Sequence, residues 1–213
     1  MKKILILIIV CFSSMGYTQD VAILKYNGGG DWYSNPTAVP NLVAFANTNI
    51  KTTISKNPQA VAVGSENLFN YSLLFMTGHG NIFFSDDEAK NLKNYLISGG
   101  FLHISDNYGL DKYIRKEIKK VFPKLEFKEI PSNHAIFNQT FKFPNGMPKI
   151  HEHDKKPAQG FGIFHGARLV ILYDYETDLS DGWEDGLIHN NPKSVREKAL
   201  KMGSNIIEYA FKN

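Results

Sequence analysis

Leu73–Gly109, LLFMTGHGNIFFSDDEAKNLKNYLISGGFLHISDNYG, reads as strand, capped helix, Gly-Gly turn and second strand, which together make one βαβ unit. Parallel strands joined in this way are buried on both faces, and their carboxyl ends open onto the crevice where α/β proteins hold ligands. His79 and Asp106 fall at those two ends. Within the unit, Ser85-Asp86-Asp87-Glu88 has the spacing of a capping box. The helix it opens repeats apolar residues three and four apart at Ala89, Leu92, Tyr95 and Leu96, and Ser98-Gly99-Gly100 closes it.

Working outward, Val21–Tyr26 has the length and apolarity of a buried first strand, and the loop NGGGDWYSNP (27–36) follows it. Leu42, Val43, Phe45 and Ala46 predict a helix over Ala38–Thr48, and Thr52–Ser55 and Val61–Val63 carry weaker strand signals. After the central unit, Tyr113, Ile114, Ile118 and Val121 predict an amphipathic helix over Leu110–Phe122, stopped by Pro123. LEFKEI (125–130) and the segment 132–162 read as a short strand and a loop-rich insertion ahead of the strong strand Leu169–Tyr173. A second capping-box pattern, Ser194–Glu197, precedes a helix striped by Val195, Ala199, Met202, Ile206 and Ala210.

This alternation predicts a single α/β domain over residues 19–213 with a mostly parallel sheet, and 213 residues at 43% hydrophobic content suffice for one sizeable core. The first residues differ in character. Lys2 and Lys3 precede an apolar run from Ile4 to Phe12 and then small and polar residues, so residues 1–18 are expected to be a signal peptide. The run is too short for a resident transmembrane helix, which needs about 20 residues. Export to the periplasm or the cell exterior is the expected localisation. Cys11, the one cysteine, lies in that run behind the bulky Ile8-Ile9-Val10, so lipid attachment is not expected and the mature chain would have no thiol. A thiol nucleophile, a disulfide framework and a cysteine metal site are then excluded. Without Lys2 and Lys3 the charge is close to neutral, which gives no sign of a nucleic-acid partner.

The candidate site residues lie just past the strands: Asn27–Trp32, Gly78-His79-Gly80, Ser105-Asp106-Asn107, Ser132-Asn133-His134 and Asp174–Asp178 are expected to share one sheet edge. Gly30, Asp31 and Trp32 combine exposed amides with a stacking face, although a tight turn covering the core edge is an equal reading. His79, between two glycines, fits a ligand contact or a general base. His103, alternating with Leu102 and Ile104, reads as a buried histidine. Ser105 and Asp106 stand where a nucleophile elbow would be, but the flanking small residues of that motif are missing. His151-Glu152-His153-Asp154 clusters four potential ligands, yet the flanking Lys149, Lys155 and Lys156 and the missing third-element ligand read as a solvated loop, so neither metal nor cofactor is assigned. The charges Lys112, Arg115, Lys116, Lys119 and Lys120 read as a solvated helix face, with partner docking the alternative.

MTGHG, the helix ending in SGG, FLHISDNYG, SNHAIF, GARLVILYDYETDLSDGW and GSNIIEYA resemble an uncharacterised bacterial domain-of-unknown-function family, family 4159, in the class I glutamine-amidotransferase-like superfamily. The likeness covers nearly all of the mature chain, and trehalose-utilisation-type proteins are more distantly similar. The resemblance implies a flavodoxin-like three-layer sandwich. It carries family pattern residues onto Gly30, Asp31, Trp32, His79, Gly99, Gly100, Asp106, His134, Asp178 and Trp183, while Ala135 and Asp174 depart from the pattern. Amidotransferases of this superfamily place a cysteine where this chain has Ser105 or Asp106, so cysteine-dependent glutamine hydrolysis is not expected.

Three functions remain. The first is an exported domain binding a glycan or other envelope ligand through Gly30, Asp31, Trp32, Ser105, Asp178 and Trp183 together with His79, Asp106 and His134. The second is a hydrolase using His79 or His134 with Asp106. The third is an interaction module for an envelope protein partner.

Overall fold

The computed structural model describes residues 18–152 and 154–212. Residues 1–17 of the expected signal peptide, with Cys11, and His153 therefore lie outside the described residues, while Thr18, its expected last residue, opens the first strand. Among those residues, no helix is long and apolar enough to cross a membrane.

The chain runs β1 (Thr18–Lys25), α1 (Ala38–Asn49), β2 (Gln59–Ala62), β3 (Tyr71–Met76), α2 (Asp86–Ile97), β4 (Phe101–Ser105), α3 (Asp111–Val121), β5 (Lys128–Glu129), β6 (Gln159–His165), β7 (Arg168–Tyr175) and α4 (Lys193–Lys212). The strands form one seven-stranded sheet in the order β2-β1-β3-β4-β7-β6-β5. Neighbours from β2 through β7 pair in parallel, whereas β6 runs antiparallel to both β7 and β5, so the sheet is mixed. Two cores flank it. Side chains of α1 and α4 cover one face with Leu73, Phe75 and Phe101, and those of α2 and α3 cover the other with Leu74, Met76 and Leu102. Helix, sheet and helix give three layers.

The central unit forms as its spacing predicts. The Ser85 hydroxyl accepts from the Glu88 amide at 3.2 Å, and the Glu88 carboxylate accepts from the Ser85 amide at 2.8 Å. Replacing Ser85 by alanine is expected to cost about 1 kcal/mol, read as a fall of about 2–4 °C in the unfolding midpoint. The two glycines after α2 have separate duties. Gly99 has φ +126°, which a side chain rarely adopts, and a Cβ on Gly100 would lie 2.2 Å from the Tyr95 ring. That ring crosses Gly100 so that its hydroxyl bonds both the amide and the carbonyl of Phe101. The Arg168 guanidinium, at the start of β7, donates to the carbonyls of Leu96, Gly99 and Gly100 and fixes this turn to the next strand.

Elsewhere the structure departs from the sequence reading. Thr52–Ser55 forms no strand. LEFKEI contributes only the two residues of β5, and the supposed loop-rich insertion supplies the first part of β6, which runs on past Gly162 to His165. Ser194 is not a cap: the Val195 and Arg196 amides bond the Pro192 carbonyl at 2.9 and 3.0 Å, and α4 begins at Lys193.

Candidate functional site at the carboxyl edge

The loop after β1 and the loop after β3 meet where the strand order reverses. Gly30 donates to the Asn81 carbonyl at 2.9 Å, Phe83 donates to the Asn27 carbonyl at 2.8 Å, and the Tyr26 hydroxyl donates to the Thr77 carbonyl at 3.1 Å. A Cβ on Gly30 would stand 2.7 Å from that Asn81 oxygen, so the close approach requires glycine. The contact brings Asp31 to His79: Asp31 Oδ2 lies 2.9 Å from His79 Nδ1, and Asp31 Oδ1 accepts from the His79 amide. Burial pushes the Asp31 carboxyl up, but the hydrogen bonds from the His79 amide and ring and the charge of that ring outweigh it, holding Asp31 below its ordinary value. His79 is exposed and Asp31 partly so. Trp32 is half-buried, with the Lys25 ammonium 5.4 Å from its ring centre and Tyr33 edge-on.

At the ends of β4 and β7 the polar groups are buried. His103 Nε2 and Asp174 Oδ2 lie 2.6 Å apart, and burial pushes the Asp174 carboxyl up and the His103 imidazole down to about 3. The Ser105 hydroxyl lies in this network, 3.1 Å from Ser180 Oγ and 3.4 Å from Asp174 Oδ1, with one proton to give to either. Asp106 faces the other way. It lines a cleft of about 400 Å³ with Tyr108, Lys112, Lys156, Tyr175 and Glu176. Its carboxyl is pushed up to about 7, first by burial and then by the Asp174 and Asp111 carboxylates, against the lowering effect of the Glu176 amide and the Tyr173 hydroxyl. Tyr173 Oη lies 3.0 Å from Asp106 Oδ1 and 3.1 Å from Asp111 Oδ1. A phenol has a single proton, so only one of these oxygens accepts from it; a protonated Asp106 donating to Tyr173 satisfies both contacts. Asp178 is buried in left-handed backbone, φ 49°, and burial and then the Asp181, Asp174 and Asp106 carboxylates push its carboxyl up to about 9.

One residue of the β1 loop links these groups. The Asn35 amide donates at 2.8 Å to both Ser180 Oγ and Asp181 Oδ1, and Ser34 meets Asn107 nearby at 3.5 Å. The other Asp181 oxygen faces the Nδ1 atoms of His151 and His189 at 3.4 and 3.5 Å. Among the described residues these three form the one set of histidine and acidic side chains that could hold a metal ion.

The structure brings Gly30, Asp31, Trp32, His79, Ser105, Asp106 and Asp178 to this edge, but not as the sequence reading grouped them. His79 pairs with Asp31, not Asp106. His134 is not at the edge: it caps the 3₁₀ turn Ala135–Phe137 through Nδ1 and packs on Tyr209 and on Phe164, whose register partner is Leu169 at the start of β7. The chain turns back over the α4 face after Pro131, which takes the ring toward the amino end of the sheet. Trp183 is fully buried, with its indole N–H given to the Ala199 carbonyl at 2.9 Å, so it belongs to the core and does not reach a surface ligand. Asn35, Tyr173, Asp181 and His189 were not singled out from sequence; the one available signal was Asp181, three residues after Asp178 in the segment that follows β7.

A family model described as Domain of unknown function (DUF4159) matches residues 20–211. No curated protein matches the chain.

Proposed function

The chain belongs to the DUF4159 family, whose description carries no activity, and from its own carboxyl edge we propose that it is an exported domain that binds a hydroxyl-rich ligand of glycan or other envelope type. The observation that carries this reading is the Asp106 cleft. It sets a carboxyl poised near neutrality beside the Lys112 and Lys156 ammonium groups and the rings of Tyr108 and Tyr175. Carboxyl and ammonium groups hydrogen-bond paired hydroxyls, and aromatic faces pack on the apolar side of a sugar ring. A flavodoxin-like, class I glutamine-amidotransferase-like lineage accords with the strand order β2-β1-β3-β4-β7 and helices on both faces. Within that lineage the thiol chemistry is absent, since Ser105 and Asp106 occupy the nucleophile position.

The test is thermal unfolding of the chain with neutral, acidic and amino-sugar oligosaccharides. A binder at about a hundred times its dissociation constant adds about 2.7 kcal/mol to stability. The ligand-induced rise is expected to vanish in Lys156→Ala and in Asp106→Asn. A flat response across the panel, or a rise that survives both substitutions, overturns the reading.

The His79–Asp31 pair favours a second reading, hydrolysis. A carboxylate on Nδ1 fixes the ring's tautomer and orientation, leaving Nε2 to take a proton from water. In that case His79→Ala lowers turnover of a bound oligosaccharide by about 10²–10⁴-fold while the ligand-induced rise persists. Turnover unchanged by the substitution excludes it.

A further inference from the structure

We propose that His151, Asp181 and His189 form a binding site for a divalent first-row transition ion of the zinc type, separate from the Asp106 cleft and independent of what that cleft binds. The three side chains come from the segment ahead of β6, the 3₁₀ turn after β7 and the loop ahead of α4, and their ligand atoms all lie within 4.8 Å of one another. Two distances define the shape: both histidine Nδ1 atoms approach the same oxygen, Asp181 Oδ2, at 3.4 and 3.5 Å. Those separations are long for an N–H···O bond. They match the edge of a tetrahedron, about 3.3 Å, whose corners sit 2.0–2.1 Å from a central zinc.

The surroundings support an ion. Asn35 holds Asp181 Oδ1 at 2.8 Å, which orients the carboxylate as an outer-shell partner does and turns Oδ2 to the histidines. The two rings stand edge-to-face, with centres 5.6 Å apart at 86°. His189 Nε2 is shielded from solvent and has no hydrogen-bond partner among the described residues. That nitrogen lies across the ring from Nδ1 and takes no part in holding the ion. The side chains of His151, His189 and Asp181 keep 34%, 25% and 11% of their exposure, so the cluster stands near the surface and not in the core. Two imidazoles and one carboxylate suit zinc and its first-row neighbours, whereas calcium and magnesium take oxygen sets.

The test is calorimetric titration of the chain, prepared without a histidine tag and stripped with chelator, with zinc chloride. One ion per chain is expected. The affinity should fall more than about 100-fold in His151→Gln and His189→Gln, beyond the 10–100-fold expected for the outer-shell variant Asn35→Ala. Cobalt(II) should give the intense visible absorption of a four-coordinate ion, lost in the same variants. Asp181→Asn keeps an oxygen for Asn35 while removing the charge, so it weakens binding without disturbing that contact. Unfolding midpoints in chelator close to wild type separate lost ligation from lost folding. Absence of stoichiometric binding, or equal binding by wild type, His151→Gln, His189→Gln and Asp181→Asn, overturns the proposal.

Discussion

At pH 8 a chain carrying Asp106→Asn is expected to unfold well above the wild-type midpoint, with the gap closing as the pH falls toward 4. The native carboxyl is raised from 3.8 to about 7, chiefly by burial. A raised carboxyl favours the folded state below the unfolded value, and that stability is lost as the pH climbs through the folded value. About three units correspond to something on the order of 4 kcal/mol, or roughly 10 °C for a domain of this size. Asparagine mimics the protonated acid: its amide N–H can donate to Tyr173 Oη, and its oxygen can accept from the Glu176 amide, which now lies 3.1 Å from Asp106 Oδ2. His103, Asp174 and the other titrating groups are common to both proteins, so the difference between the two curves reports Asp106 together with the groups its charge acts on, Asp178 among them. Equal midpoints at pH 8, or a less stable variant there, would show that the carboxyl does not carry this cost. A variant that gains stability and loses ligand is the signature of a residue kept for function.

The second large effect is structural. Trp183→Ala is expected to lower stability by about 3–5 kcal/mol, roughly 10 °C or more in the midpoint. The ring is fully buried, 5.6 Å centre to centre from both Phe75 and His103, and a Cβ on Gly203 would lie 2.7 Å from it. Its carbonyl accepts from the Asn41 side chain at 2.9 Å, so it ties α1 and α4 to the segment after β7. Trp183→Phe should recover part of the loss by refilling much of the volume. A cost for Trp183→Ala under about 1 kcal/mol would mean that the surrounding side chains collapse into the space, contrary to the usual response of a packed core.

What sequence made legible follows from range. The capping box, the Gly-Gly turn and the strands β3, β4 and β7 are specified by residues a few positions apart, and they formed as read. β6 escaped notice because Gly160 and Gly162 interrupt its pattern; the sheet needs the second of these, where a Cβ would lie 2.3 Å from Leu169. The site was half visible. Strand ends put His79, Ser105 and Asp106 on one edge, but the partner of His79 comes from the loop after β1, and those of Ser105 and Asp106 come from β7 and the segment after it, far along the chain. Nothing in DWYSNP announces that Asn35 adopts φ 57° and reaches Asp181. Trp183 entered the ligand set through the family resemblance; aromatic residues serve both cores and binding sites, and only packing separates the two.

The Asn35 bridge also bears on the order in which the molecule comes together. It joins residues 145 and 146 positions apart, whereas β3, α2 and β4 complete a unit within one short stretch of chain. Closing long loops carries the larger entropic cost and is the slower event. The body of the sheet can therefore stand before its carboxyl edge is stitched, and the edge can open while the body holds. On loop length alone, the contacts that stitch the edge are expected to form after the β3–α2–β4 unit and to open before it.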